Sequence, residues 1–182
     1  CMEDDACNYD SNATVPANCD WSCLGCIDSE AWNYDSTATV DDGSCYFSPF
    51  GPDPDTDCNA TILVPAEANI TVDGETVAEG TWLGVFYTNA NGELAYGGGI
   101  QWNGEVTSIA AWGSEAGEDN GFQANEIFTW VIYDLNTQSY YEANEVTYSF
   151  GNDFYSCNGL SGINSISIIT SSCNDETAYN YL

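Results

Sequence analysis

The phrase Cys-x-x-x-x-Ala-x-Asn-Tyr occurs three times in this chain, at residues 1–9, 26–34 and 173–181. A phrase that recurs within one chain marks tandem modules, and the module is the unit to read before any local propensity. The second copy runs on through Ala38-Thr-Val-Asp-Asp-Gly-Ser-Cys45. The first keeps to the same path as far as Val15, then diverges through Pro16-Ala-Asn-Cys-Asp-Trp-Ser-Cys23. The third stops at Leu182 and is expected to be the start of a further repeat.

Composition narrows the chemistry. The 182 residues include 29 Asp and Glu but no Lys, Arg or His, a formal charge of −29. Without these side chains there is no His-activated nucleophile, Schiff-base lysine, P-loop lysine or histidine-ligated zinc. Nucleic acid is excluded as a partner, because nothing here can displace its condensed counterions. The partners left to such a surface are inorganic cations, neutral ligands such as sugars, and other proteins. Self-repulsion of this size opposes compaction unless cations offset it. No catalytic activity is expected. Glycoside hydrolysis needs only two carboxylates, but its candidates, Glu115 and Glu118, fall on a glycine-rich loop of a small domain.

Nine cysteines without a histidine to share zinc point to disulfides and an oxidising compartment, hence a secreted, extracellular or cell-surface protein. Cys26 with Cys45 closes the second repeat, and Cys58 with Cys157 staples the region between them. In the first repeat Cys7–Cys19 is expected to nest within Cys1–Cys23. Cys173 is then left without a partner among residues 1 to 172, with its mate expected beyond Leu182. No apolar run reaches the roughly 20 residues of a membrane helix, so no membrane insertion is expected.

Five segments follow: acidic Cys repeats at 1–25 and 26–46, a Pro-rich linker at 47–57, a β region at 58–172, and the start of a third repeat at 173–182. The linker carries three prolines that favour extended backbone. In the β region Asp73-Gly74, Asn91-Gly92 and Asn103-Gly104 mark tight turns. Residues 82–88, 107–112, 127–135, 146–150 and 165–169 supply strand-like runs, and Val146-Thr-Tyr-Ser-Phe150 alternates apolar residues with hydroxyls. The expected fold is all-β: one antiparallel β-sandwich flanked by small, disulfide-tied, calcium-binding loop repeats.

The second repeat places Asp28, Asn33, Asp35, Asp41 and Asp42 inside one disulfide loop. Calcium takes six to eight hard oxygens and accepts irregular geometry, so Ca2+ is the matching ion. The first repeat offers Glu3, Asn8 and Asp10 at corresponding positions, and the third Asp175 and Asn180. The competing reading is that Asn and Asp cap turns in a loop-rich module. Tyr9, Tyr34 and Tyr181 are expected to be the small apolar filling of each repeat.

The pattern Cys-x-Asp-x-x-Ala-x-Asn-Tyr-Asp-x-x-Ala-Thr-Val-Asp-Asp-Gly-Ser-Cys, with the Ser22-Cys-Leu-Gly-Cys26 junction, resembles the short acidic repeats of large secreted proteins of Bacteroidetes. It is similar in logic to thrombospondin type 3 calcium repeats. Residues 80–87, 110–113 and 121–126 resemble a β module found in such proteins. The resemblance implies secretion and calcium.

Three functions fit these constraints. The first is a structural subunit or repeating segment of an extracellular filament or adhesin stalk, whose partners are copies of itself joined head to tail. The second is a carbohydrate-binding module, with Trp102, Trp112 and Tyr140 or Tyr141 beside Glu115, Asp119 and Asn120. The third is the glycosidase already set aside. Asn12, Asn59 and Asn69 begin acceptor-type sequons. Asp35-Ser36-Thr37 resembles an O-glycosylation signal of Bacteroidetes, so covalent glycans are expected partners too.

Overall fold

The structure is a computed structural model that describes residues 1–4 and 6–170. Cys173, Asp175, Asn180 and Tyr181 of the third repeat lie outside the described residues. The chain divides into two compact units, Cys1–Pro52 and a second that begins at Asp53.

The first unit contains both complete repeats. Its only regular pairing among the described residues is parallel, between β1 (Leu24–Gly25) and β2 (Val40–Asp41). Turns supply the rest, and the two repeats use the same ones. Ala6 and Ala31 donate to the carbonyls of Glu3 and Asp28, Tyr9 and Tyr34 to those of Ala6 and Ala31, and Asp10 and Asp35 to those of Cys1 and Cys26. Cys1, Ala6, Cys26 and Ala31 are buried. The phrase thus supplies its own small core of cysteine and alanine. Tyr9 and Tyr34 correct their expected role, being 45% and 47% exposed.

The second unit is all-β among its described residues. In order the strands are β3 (Asn59–Val64), β4 (Asn69–Val72), β5 (Glu75–Thr76), β6 (Trp82–Thr88), β7 (Leu94–Gln101), β8 (Thr107–Trp112), β9 (Thr129–Asp134), β10 (Ser139–Glu142), β11 (Glu145–Phe150) and β12 (Leu160–Ile168). One sheet runs β10-β9-β6-β7; the other joins β5, β4, β12, β3 and β8, with β11 on the far edge of β12. Inward residues of both sheets, among them Ile62, Leu83, Val85, Ile109, Trp130, Ile132, Ile163 and Ile166, form one buried cluster. Two sheets facing across a shared core are compatible with the expected sandwich.

The pairing departs from a purely antiparallel plan at β12. Leu160–Gly162 pairs parallel with β3 and Ser165–Ile168 parallel with β4. Gly162 also pairs with Phe150, and Ser165 with Thr147, of β11. One edge of β12 therefore belongs to β11, and β3 and β4 lie end to end along the other, with residues 65–68 looping out between them. The first and last strands of the unit are thus parallel neighbours in its middle.

The sheets approach closely where β7 meets β8. A side chain on Gly98 would put its Cβ 1.9 Å from the Ala110 carbonyl oxygen, and Gly98 has φ 147°. Beside it Gly97 leaves room for the Phe122 ring, whose neighbours Tyr87, Phe128 and Tyr155 lie at 5.7, 5.2 and 5.7 Å. Thr56, in the sequence-assigned linker, is buried and donates to the Gly113 carbonyl at 2.6 Å.

Candidate functional site

Four disulfides bind the eight cysteines of the described residues: Cys1–Cys19, Cys7–Cys23, Cys26–Cys45 and Cys58–Cys157. The last two match the sequence reading. The first two correct it, because the bonds of repeat 1 cross instead of nesting.

The cause is the asparagine of the repeat phrase. Asn33 Nδ2 donates to the Ser44 carbonyl at 2.7 Å, and its Oδ1 accepts from the Tyr46 N–H at 3.0 Å. It thereby grips the backbone on both sides of Cys45 and seats that cysteine against Cys26. Asn8 repeats the grip on Asn18 O and Asp20 N–H, both at 3.0 Å, around Cys19. Cys19 is consequently the counterpart of Cys45 and pairs with Cys1. Cys7, at the position of Trp32 in the second repeat, is left to reach Cys23. The similar spacing between asparagine and the closing cysteine, 11 residues from Asn8 to Cys19 and 12 from Asn33 to Cys45, was the signal in the sequence that could have given this pairing.

The other candidate ligands sit at the repeat surface. Asp28 accepts from the Glu30 N–H, Asp35 from Thr37, Asp41 from the Gly43 N–H and Asp42 from the Ser44 N–H, each at 2.7–3.0 Å. In repeat 1 Asp10 accepts from the Asn12 N–H at 2.8 Å, and Glu3 is exposed. These are turns closed by an Asx side chain, and each commits one carboxylate oxygen to the backbone. The Thr37 hydroxyl and then its N–H hold Asp35 below its ordinary pKa of 3.8; Ser44 does the same for Asp42. The Ser22 backbone N–H, then its side chain, hold Asp20 down likewise. Both amide atoms of Asn33 and of Asn8 are engaged with backbone, so carboxylates are the oxygens better suited to a cation. Among the described residues, no three His, Cys, Asp or Glu side chains form a group that could hold a metal.

The aromatic candidates separate. Trp102 is buried in the core at 5% exposure, Trp112 and Tyr141 are half-buried, and Tyr140 is exposed with its ring 4.7 Å from Tyr133. Glu115 accepts from the Asn120 amide at 3.0 Å, and Asp119 from the Ala90 N–H at 2.8 Å. Glu115 thus braces its own loop, and Asp119 ties that loop to the β6–β7 connection. A cleft of about 230 Å³ opens between β9, β10 and β11, lined by Phe128, Trp130, Glu142, Val146, Tyr148 and Asp153. Trp130 Nε1 donates to the Tyr148 hydroxyl there at 2.8 Å.

No family model, curated protein or solved structure matches this chain.

Proposed function

We propose that this chain is a structural segment of an extracellular filament or adhesin stalk, with no catalytic activity. The observation that carries this reading is the repetition of one hydrogen-bonded, disulfide-closed scaffold twice in succession before the β unit. A scaffold built twice from the same turns serves as a spacer that can be added in series. Four disulfides support an oxidising, extracellular setting. With no Lys, Arg or His, contacts between copies are apolar, hydrogen-bonded or bridged by cations. Calcium on the carboxylates of Asp28, Asp35, Asp41 and Asp42 is the bridging ion that fits their chemistry, and covalent glycans on exposed Asn12 and Asn69 fit a hydrated coat. Head-to-tail contacts that do not close into a ring give filaments.

Negative-stain microscopy of the native protein, with calcium and after EGTA, tests this directly. Filaments that shorten or loosen on chelation are the expected result. Monomers under both conditions, combined with tight binding to a polysaccharide, would replace this function with the carbohydrate-binding alternative. That alternative draws less support, since Trp102 is in the core.

A further inference from the structure

The disulfides occupy particular places along the chain. Cys1–Cys19 ties the beginning of the first repeat to its end, Cys26–Cys45 does so for the second, and Cys58–Cys157 for the β unit. Cys58 immediately precedes the first strand of that unit, and Cys157 stands three residues before β12, the last one. A covalent route along the molecule thus crosses each of these loops through sulfur, and runs through backbone between them and along β12. It skips sequence separations of 18, 19 and 99 residues.

The route has little slack in the β unit. From Cys157 it continues to Thr170 through β12, whose 9 residues are already extended. Those strand residues rise about 3.3 Å each. The strand is held along one edge by β3 and β4, parallel to it, and along the other by β11. Its far end is fixed as well: Asn144 Oδ1 accepts from the Ile169 N–H at 2.5 Å, and Asp73 accepts from the N–H and hydroxyl of Thr170. Force entering at Cys58 and leaving at Thr170 pulls β3 and β12 in opposite directions along their lengths. Their hydrogen bonds are then loaded together, not one after another.

We propose that the chain has a mechanical function: tension along it passes from disulfide to disulfide, and the loop that each disulfide closes is not drawn out. The proposal deepens the stalk reading and rests on it for its biological setting. Its test uses single chains, so a protein that forms no filaments could still pass it, and filaments built of extensible chains would fail it.

The full chain is held by handles at its two ends and drawn by optical tweezers, first oxidised and then with a thiol reductant. Cys157 is exposed, so reductant reaches its bond in the folded protein. Drawing Cys157 to Thr170 fully straight adds only about 1–1.5 nm to the oxidised β unit, taking roughly 3.5 Å per residue. The oxidised chain is therefore expected to show no step above ~2 nm from that unit. After reduction the loop of separation 99 alone adds roughly 35 nm, whether it yields as one step or smoothly. The double variant Cys58→Ser, Cys157→Ser, left oxidised, should gain the same roughly 35 nm without reductant. A step of tens of nanometres in the oxidised wild-type chain overturns the proposal. So does a reduced or doubly substituted chain no longer than the oxidised wild type.

Discussion

At the scale of single residues, one asparagine decides a disulfide pattern. Asn8 and Asn33 act as a short piece of backbone, donating and accepting across the closing cysteine. Asn33→Ala removes both bonds and should lower the stability of the second repeat by about 1–2 kcal/mol, read as faster reductive opening of Cys26–Cys45. Asn8→Ala should do more than weaken. Without the grip on Cys19, oxidative refolding should yield a measurable share of the nested isomer, Cys7–Cys19 with Cys1–Cys23, in peptide maps. A map unchanged by the substitution would remove the asparagine from the explanation. The residue was legible as an oxygen donor, but sequence chemistry does not distinguish an amide aimed at a cation from one aimed at a peptide bond. The spacing to the cysteine does. A second residue-scale expectation concerns Tyr148, which burial pushes up to about 12, aided by Asp153 and opposed by the Trp130 N–H. A raised acid pKa means stability that is complete below the ordinary value of 10 and lost as pH rises toward 12. Ultraviolet titration should show late tyrosinates, Tyr148 among them with Tyr87 and Tyr155, which burial also pushes up, and alkaline unfolding should set in above about pH 10.

Among the elements, β6 and β8 were visible from their apolar and β-branched runs, and the Asp73-Gly74 turn from its dipeptide, with φ 51° and 83°. Strand β7 was hidden because Gly97, Gly98 and Gly99 carry no strand signal of their own. Their purpose is spatial, and it is seen only once β8 lies across them. Gly98→Ala should cost about 3 kcal/mol or more, since it combines an unfavourable φ with a clash against the Ala110 carbonyl. Thermal melting with the four disulfides intact measures it, and a loss below 1 kcal/mol would mean that β7 can withdraw from β8. The parallel pairing of β12 was equally illegible. Its partners β3 and β4 lie about 100 residues earlier, and no local pattern names a partner across that distance.

For the whole molecule, charge and connectivity dominate. A chain of formal charge −29 without Lys, Arg or His has almost no internal attraction for salt to screen. Added NaCl should therefore only raise the melting temperature, through the shorter Debye length. Calcium should raise it further at matched ionic strength if the repeat carboxylates bind the ion. A calcium gain no larger than that of sodium would leave the repeats stabilised by their turns and disulfides alone. One consequence of the sulfur route concerns chemical wear. Hydrolysis of a peptide bond anywhere between Cys58 and Cys157 leaves both fragments on the same molecule, because Cys58–Cys157 still joins them. Trypsin finds no site in this sequence, and an aromatic-directed protease that makes a single nick in an exposed turn between Cys58 and Cys157 should leave the mass on a non-reducing gel unchanged. Only with reductant should the cut become visible as two bands. Such a chain can carry a break in the loop that Cys58–Cys157 closes and remain in one piece.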